Sequence, residues 1–155
     1  MFNTTPEFIW AVAMAIVSAY ALWRGGRTER AVAVANVVAW VATIIVQDRR
    51  NWVDPQWGMM LVDAGFLGFL LLLVVRTDRV WILPAAAFQL LALITHIGII
   101  ADPGVRAWAY MTALILWSYL VLICLAVGSY NHWRERRAGN ARASFGGRQT
   151  AAPRR

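Results

Sequence analysis

Apolar residues in this chain come in long unbroken runs, and polar residues gather in the short gaps between them. Five runs stand out: 6–23, 31–47, 55–75, 80–100 and 103–130. A helix that crosses a bilayer needs about 20 mostly apolar residues, with about 17 as the lower limit. Backbone amides in hydrocarbon have no water to bond, so such a run must close its hydrogen bonds on itself as an α-helix. The pattern therefore predicts an all-α integral membrane protein, with five transmembrane helices in one bundle over residues 1–133. The remainder, 134–155, is rich in arginine and nearly free of apolar residues, and is expected to be a disordered tail.

Two runs carry polar residues that test this assignment. The third contains Asp63, which costs about 3 kcal/mol at a helix centre, whereas each Leu, Phe or Val returns about 0.3–0.6 kcal/mol. Six Leu, two Phe and three Val in that run outweigh it. The second run is short, alanine-rich and holds Asn36, so it is expected to insert as a hairpin with the first. Small residues at fourfold spacing, Ala11, Ala15 and Ala19 against Ala31, Ala35 and Ala39, suit close packing in that hairpin. Gly65 and Gly68 offer the third helix a similar approach.

The gaps contain helix-start signals. Asp54-Pro55 and Asp102-Pro103 each place a capping carboxylate before a proline that needs no hydrogen-bond partner in the first turn. Thr28 and Thr77 are the expected caps of the second and fourth helices. Arg27-Thr28-Glu29-Arg30 and Arg76-Thr77-Asp78-Arg79 read alike, as a duplicated two-helix unit or as convergence on the same loop chemistry.

Composition sharpens the picture. The chain has 155 residues, enough for one domain, and is 60% hydrophobic with a mean hydropathy of +0.54. Charged residues make up 15%, against about 25% in soluble domains. All 15 basic residues are arginine, which reads as the compositional bias of a bacterial genome. Segments 24–30, 76–79 and 131–155 hold twelve of them, and the other side of the membrane only Arg49, Arg50 and Arg106. The positive-inside bias then places the N-terminus outside and the C-terminus in the cytoplasm of a bacterial inner membrane. Trp10, Trp52, Trp57, Trp108 and Tyr110 mark the outer interface, and Tyr20, Trp23, Trp81, Tyr130 and Trp133 the inner one. The start of the chain lacks the charged region and cleavage site of a signal peptide.

Candidate chemistry is sparse. Ionisable groups within a membrane are functional candidates by default, and there are two. Asp63 lies about 5 Å outward of its helix midpoint and His96 about 9 Å outward of its own. Gln89 precedes His96 by seven residues and shares its helix face. With Asn36 these form the expected intramembrane polar cluster, serving either as a structural network or as a ligand or proton site. The single cysteine, Cys124, excludes an internal disulfide and a cysteine metal site. One intramembrane histidine cannot supply two axial haem ligands, and one aspartate cannot form an aspartyl dyad. No catalytic residue, metal or cofactor is expected.

Two segments suggest partners. The outer loop carrying Arg49, Arg50, Trp52 and Trp57 has the residue types enriched in protein interfaces. Arg134, Arg136 and Arg137 begin the basic tail and suit anionic lipid head groups. The tail has one aromatic residue, Phe145, and no RNA-binding module, so nucleic acid is not an expected partner. The sequence thus points to a small non-enzymatic membrane protein, an accessory, assembly or scaffold subunit binding other membrane proteins or itself. The alternative is an oligomeric transporter or proton-coupled channel subunit that uses the polar cluster.

Overall fold

The structure is a computed structural model and describes residues 5–47, 56–101 and 107–150. Five helices make up the described residues, with no strand among them: α1 (Thr5–Arg24), α2 (Arg27–Val46), α3 (Trp57–Arg76), α4 (Ile82–Ala101) and α5 (Ala107–Thr150). The last four are long and apolar enough to cross a membrane, and α1 contributes a shorter apolar stretch, Phe8–Arg24. Asp54, Pro55, Asp102 and Pro103 lie outside the described residues, as do Arg49, Arg50 and Trp52.

Each helix packs on the next in the chain, and α5 returns to α1 and α2, closing a ring. The main core is built largely from small side chains: Ala21, Val32, Ala33, Ala85 and Ala86 surround Phe66, Leu67, Leu70, Ile82 and Leu125. Cys124 is buried in this core. A second cluster, Met59, Ala92, Ile99, Tyr110 and Leu114, fills the opposite end between α3, α4 and α5. Outward faces of all five helices are apolar, with Ile16, Ile45, Leu61, Val75, Ile97 and Ile123 all exposed.

The α1–α2 hairpin forms; on α2, Ala35 and Ala39 of the alanine stripe pack against the core, but α1 turns a different line inward. Ala15 and Ala19 are exposed, whereas Met14, Ser18 and Ala21 are buried. Because α1 packs against both α2 and α5, its buried stripe must serve two neighbours and rotates away from the line that suits α2 alone. Gly65 and Gly68 have nothing within 4 Å of an added Cβ among the described residues, so they bring α3 close to none of them.

At the end where most arginines lie, a carboxylate organises three connections. Helix α1 closes at Gly25, whose amide donates to the Ala21 carbonyl at 2.9 Å. A Cβ on Gly25 would collide with that carbonyl oxygen and approach Glu29 Cβ to 2.7 Å, so only glycine fits the turn. Glu29, 1% exposed, accepts from the Gly26 amide at 2.9 Å and from the Trp81 indole N–H at 3.0 Å. The Trp81 ring lies against Gly128 of α5, where an added Cβ would come within 2.5 Å of it. Arg79 donates to Glu135 Oε2 at 3.0 Å and to His132 Nδ1 at 3.3 Å.

These contacts revise the expected helix starts. Helix α2 begins at Arg27, with Gly26 as its cap residue and Glu29 reaching back to the Gly26 amide, so Thr28 lies inside the first turn. Thr77 ends α3 instead of starting α4, its hydroxyl donating to the Leu73 carbonyl at 2.9 Å. The two similar tetrapeptides therefore differ in structure: 27–30 is helical, and 77–79 is a loop.

Residues 134–150, expected to be disordered, continue α5 as helix. Arg134, Glu135, Arg136, Arg137 and Ala138 are strong helix formers, and no proline interrupts before Pro153. Extending an existing helix adds a hydrogen bond per residue without a new nucleus, so a polar composition is no barrier there.

Gly128→Val should push Trp81 from its seat and cost about 1–3 kcal/mol, the usual penalty of overpacking. The measurement is the unfolding midpoint of the detergent-purified protein, and an unchanged midpoint contradicts this packing.

Candidate functional site

At the other end of the bundle, four polar side chains from three helices form one hydrogen-bonded chain. Helix α3 supplies Asp63 in its second turn. Helix α4 supplies Gln89 and His96, two turns apart on its buried face and 5% and 2% exposed. Helix α5 supplies Tyr110 from its first turn, also 2% exposed. An unpaired polar group in such surroundings costs several kcal/mol, so each must find a partner across a helix interface.

Gln89 Nε2 donates to Asp63 Oδ1 at 2.9 Å and reaches the Asp63 carbonyl oxygen at 3.3 Å. His96 Nε2 lies 2.9 Å from Asp63 Oδ2. The Tyr110 hydroxyl lies 2.7 Å from His96 Nδ1, and the two rings meet edge to face with centroids 5.5 Å apart. With Asp63 as a carboxylate, which only accepts, and His96 as a neutral imidazole, Nε2–H donates to Asp63 and the Tyr110 hydroxyl donates to Nδ1. The proton order thus runs Tyr110 to His96 to Asp63, with Gln89 holding the other carboxylate oxygen. Asp63 keeps 25% of its side chain exposed, which makes it the open end of the chain.

Beside this network a groove of about 400 Å³ runs between α4 and α5, bordered by Leu91, Ile94, Thr95, Gly98, Ala113 and Tyr110. It is apolar and does not reach Asp63. Trp117 crosses it, stacking near Phe88 and donating its indole N–H to Thr95 Oγ1 at 3.1 Å.

Of the four residues expected to cluster, the structure brings together Asp63, Gln89 and His96. Asn36 does not join them, and its Nδ2 has no hydrogen-bond partner among the described residues. The fourth member is Tyr110, which the sequence placed in an interfacial aromatic belt. Its spacing offered a signal: Tyr110 and Trp117, seven apart on α5, meet His96 and Thr95 on α4. Trp57 opens α3 and is 57% exposed. Arg134, Arg136 and Arg137 are exposed on α5, with Arg134 over the Tyr130 ring at 5.8 Å and Arg137 over Trp133 at 4.1 Å. Among the described residues, no group of three or more metal-ligating side chains is assembled.

Tyr110→Phe should cost about 0.6 kcal/mol, the usual worth of one hydrogen bond between helices in lipid. Asp63→Leu strands the Gln89 and His96 donors and should cost about 1–3 kcal/mol. Both changes act on one network, so the double variant should lose less than the two single losses added together. Strictly additive losses in the same unfolding measurement would show that the residues do not share a network.

Compared with known proteins, the chain matches no family model, no curated protein and no solved structure.

Proposed function

We propose that this chain is a non-enzymatic, multi-pass protein of a bacterial inner membrane, an accessory, assembly or scaffold subunit that binds other membrane proteins. The observation that carries the reading is where the polar groups go. Asp63, Gln89, His96 and Tyr110 satisfy one another across helix interfaces, and the groove beside them is apolar. Such an arrangement fastens helices together. A binding or reaction site needs free polar groups converging on open space, and this cluster has none beyond the exposed edge of Asp63.

Membrane insertion is supported by the outward faces. Large apolar side chains are exposed along every helix, far beyond the few hundred Å² of contiguous apolar surface a soluble monomer tolerates. The arginine distribution favours an outer N-terminus and a cytoplasmic C-terminus. On this orientation Arg49, Arg50, Trp52 and Trp57 present the outer contact surface to a partner, and Arg134, Arg136 and Arg137 lie at the level of anionic lipid head groups.

A second reading, an oligomeric transporter or proton-coupled channel subunit, is favoured by one observation: the Tyr110–His96–Asp63 chain is continuous and ends on a partly exposed carboxyl group. Proton flux into liposomes should then fall when Asp63 is replaced by Asn. Equal flux for the wild type and Asp63→Asn removes this reading.

The first reading is tested by purification from the native membrane in lipid nanodiscs. Other membrane proteins should copurify in fixed ratio, and Arg49→Ala with Trp52→Ala and Trp57→Ala should release them while the chain stays in the membrane. A monodisperse protein with no companion overturns it. A reporter fused after Arg155 should be active only in the cytoplasm.

A further inference from the structure

At the arginine-rich end, two guanidinium groups are gathered around one indole, and no carboxylate answers them. Arg24, the last residue of α1, holds its guanidinium carbon 4.0 Å from the Trp23 ring centroid and 5.7 Å from that of Trp133 on α5. Arg137, one turn beyond Trp133, holds its own 4.1 Å from the same Trp133 centroid. Neither arginine makes an ion pair among the described residues. The nearby acids are engaged elsewhere: Glu29 with the Gly26 amide and Trp81, and Glu135 with Arg79.

Arg24 is half-buried and Arg137 exposed, and the Trp133 Nε1–H, a buried atom, has no acceptor among the described residues. These three donor groups lie where the C-terminal end of α1 meets α5, and none has an acceptor among the described residues. A cation at the end of α1 complements the helix dipole. That accounts for Arg24, but not for Arg137 coming to the same ring.

Stacking fixes what these cations can bind. A guanidinium lying over an aromatic face keeps its N–H edge free, and that planar fork matches the oxygens of a phosphate. Both guanidinium carbons lie within 5.7 Å of the Trp133 centroid, and an anion placed between two such cations is attracted to both. The flanks are apolar and aromatic: Leu22 and Val127 are exposed, as are Trp23 and Tyr130. Acyl chains lie naturally against such surfaces, and Trp and Tyr favour the head-group level.

We propose that Arg24 and Arg137, held on Trp133, form a discrete site for the phosphate group of an anionic phospholipid. The proposal rests on the reading of the bundle as a membrane protein and deepens it. The tail attracts negative lipids diffusely, whereas this site holds one lipid in place at the junction of α1 and α5.

The test uses the full chain purified in detergent and native mass spectrometry with added phosphatidylglycerol or phosphatidylcholine. One phosphatidylglycerol should be retained, and phosphatidylcholine should not compete. Arg24→Gln with Arg137→Gln should weaken retention roughly 100-fold, since each charge-assisted hydrogen bond lost to the phosphate is worth about tenfold. Arg27→Gln with Arg76→Gln removes equal charge from exposed positions at the same end that are screened from the bound phosphate, and should leave retention within about twofold. Equal losses for the two pairs would show diffuse attraction and overturn the site. Displacement of the lipid by millimolar inorganic phosphate would assign the pocket to a free anion, and also overturn it. Flotation with vesicles separates this from the parent reading. A chain that floats with purely zwitterionic vesicles but shows no lipid preference loses the site and keeps the membrane assignment. A chain that stays in the aqueous fraction with every vesicle loses both.

Discussion

A carboxyl group among apolar helices has to be met by hydrogen-bond donors, because the alternative is a buried charge or a stranded acceptor at a cost of several kcal/mol. Two such groups, one near each end of the bundle, set the arrangement of all five helices. Glu29 draws the α1–α2 turn and Trp81 together, and Trp81 in turn rests on Gly128 of α5. Asp63 draws α4 to α3 through Gln89 and His96, and His96 reaches α5 through Tyr110. Between these fastenings the helices touch mainly through alanine, valine and leucine, contacts that would allow several rotations of one helix against another. The polar bonds remove that freedom, since they form at one register only.

The two ends differ in what surrounds the fastening. Around Glu29 there are more cations than acids, and Arg79, Glu135 and His132 extend the contacts onto the part of α5 that runs past the bundle. The Arg79–Glu135 pair is largely exposed and adds little stability by itself. It joins the α3–α4 loop to α5, while the packing of α1 on α5 brings Arg24 to the ring that Arg137 also covers. Around Asp63 the partners among the described residues are Gln89 and His96, and the groove alongside is apolar. Among the described residues, charged side chains collect around the first fastening, and the second is a closed set of hydrogen bonds.

The helices were legible in the sequence because hydropathy is a local property. The five runs fall on α1 to α5, and the differences at their ends have local causes, such as the Glu29 contact that starts α2 at Arg27. The depth argument for Asp63 and His96, and the shared face of Gln89 and His96, also required only the rise and twist of a helix. The same arithmetic failed for Asn36, which sits on a helix of similar length but belongs to an interface that does not face the cluster. It failed for Tyr110 too, since an aromatic residue near the end of a span has the same sequence appearance whether it points to the interface or into the bundle.

By itself, then, the sequence determined that the chain is helical, where its five apolar stretches run, which end gathers the arginines, and that Asp63, Gln89 and His96 have to be satisfied among apolar neighbours. It could do so because each of these depends on residues close together in the chain. Only the tertiary structure decided which partners do the satisfying. That Glu29 answers Trp81, that Tyr110 completes the Asp63 chain, and that Arg24 and Arg137 meet on one indole depend on how each helix is rotated about its axis. That rotation is set by the packing of all five together, so no single stretch of sequence records it.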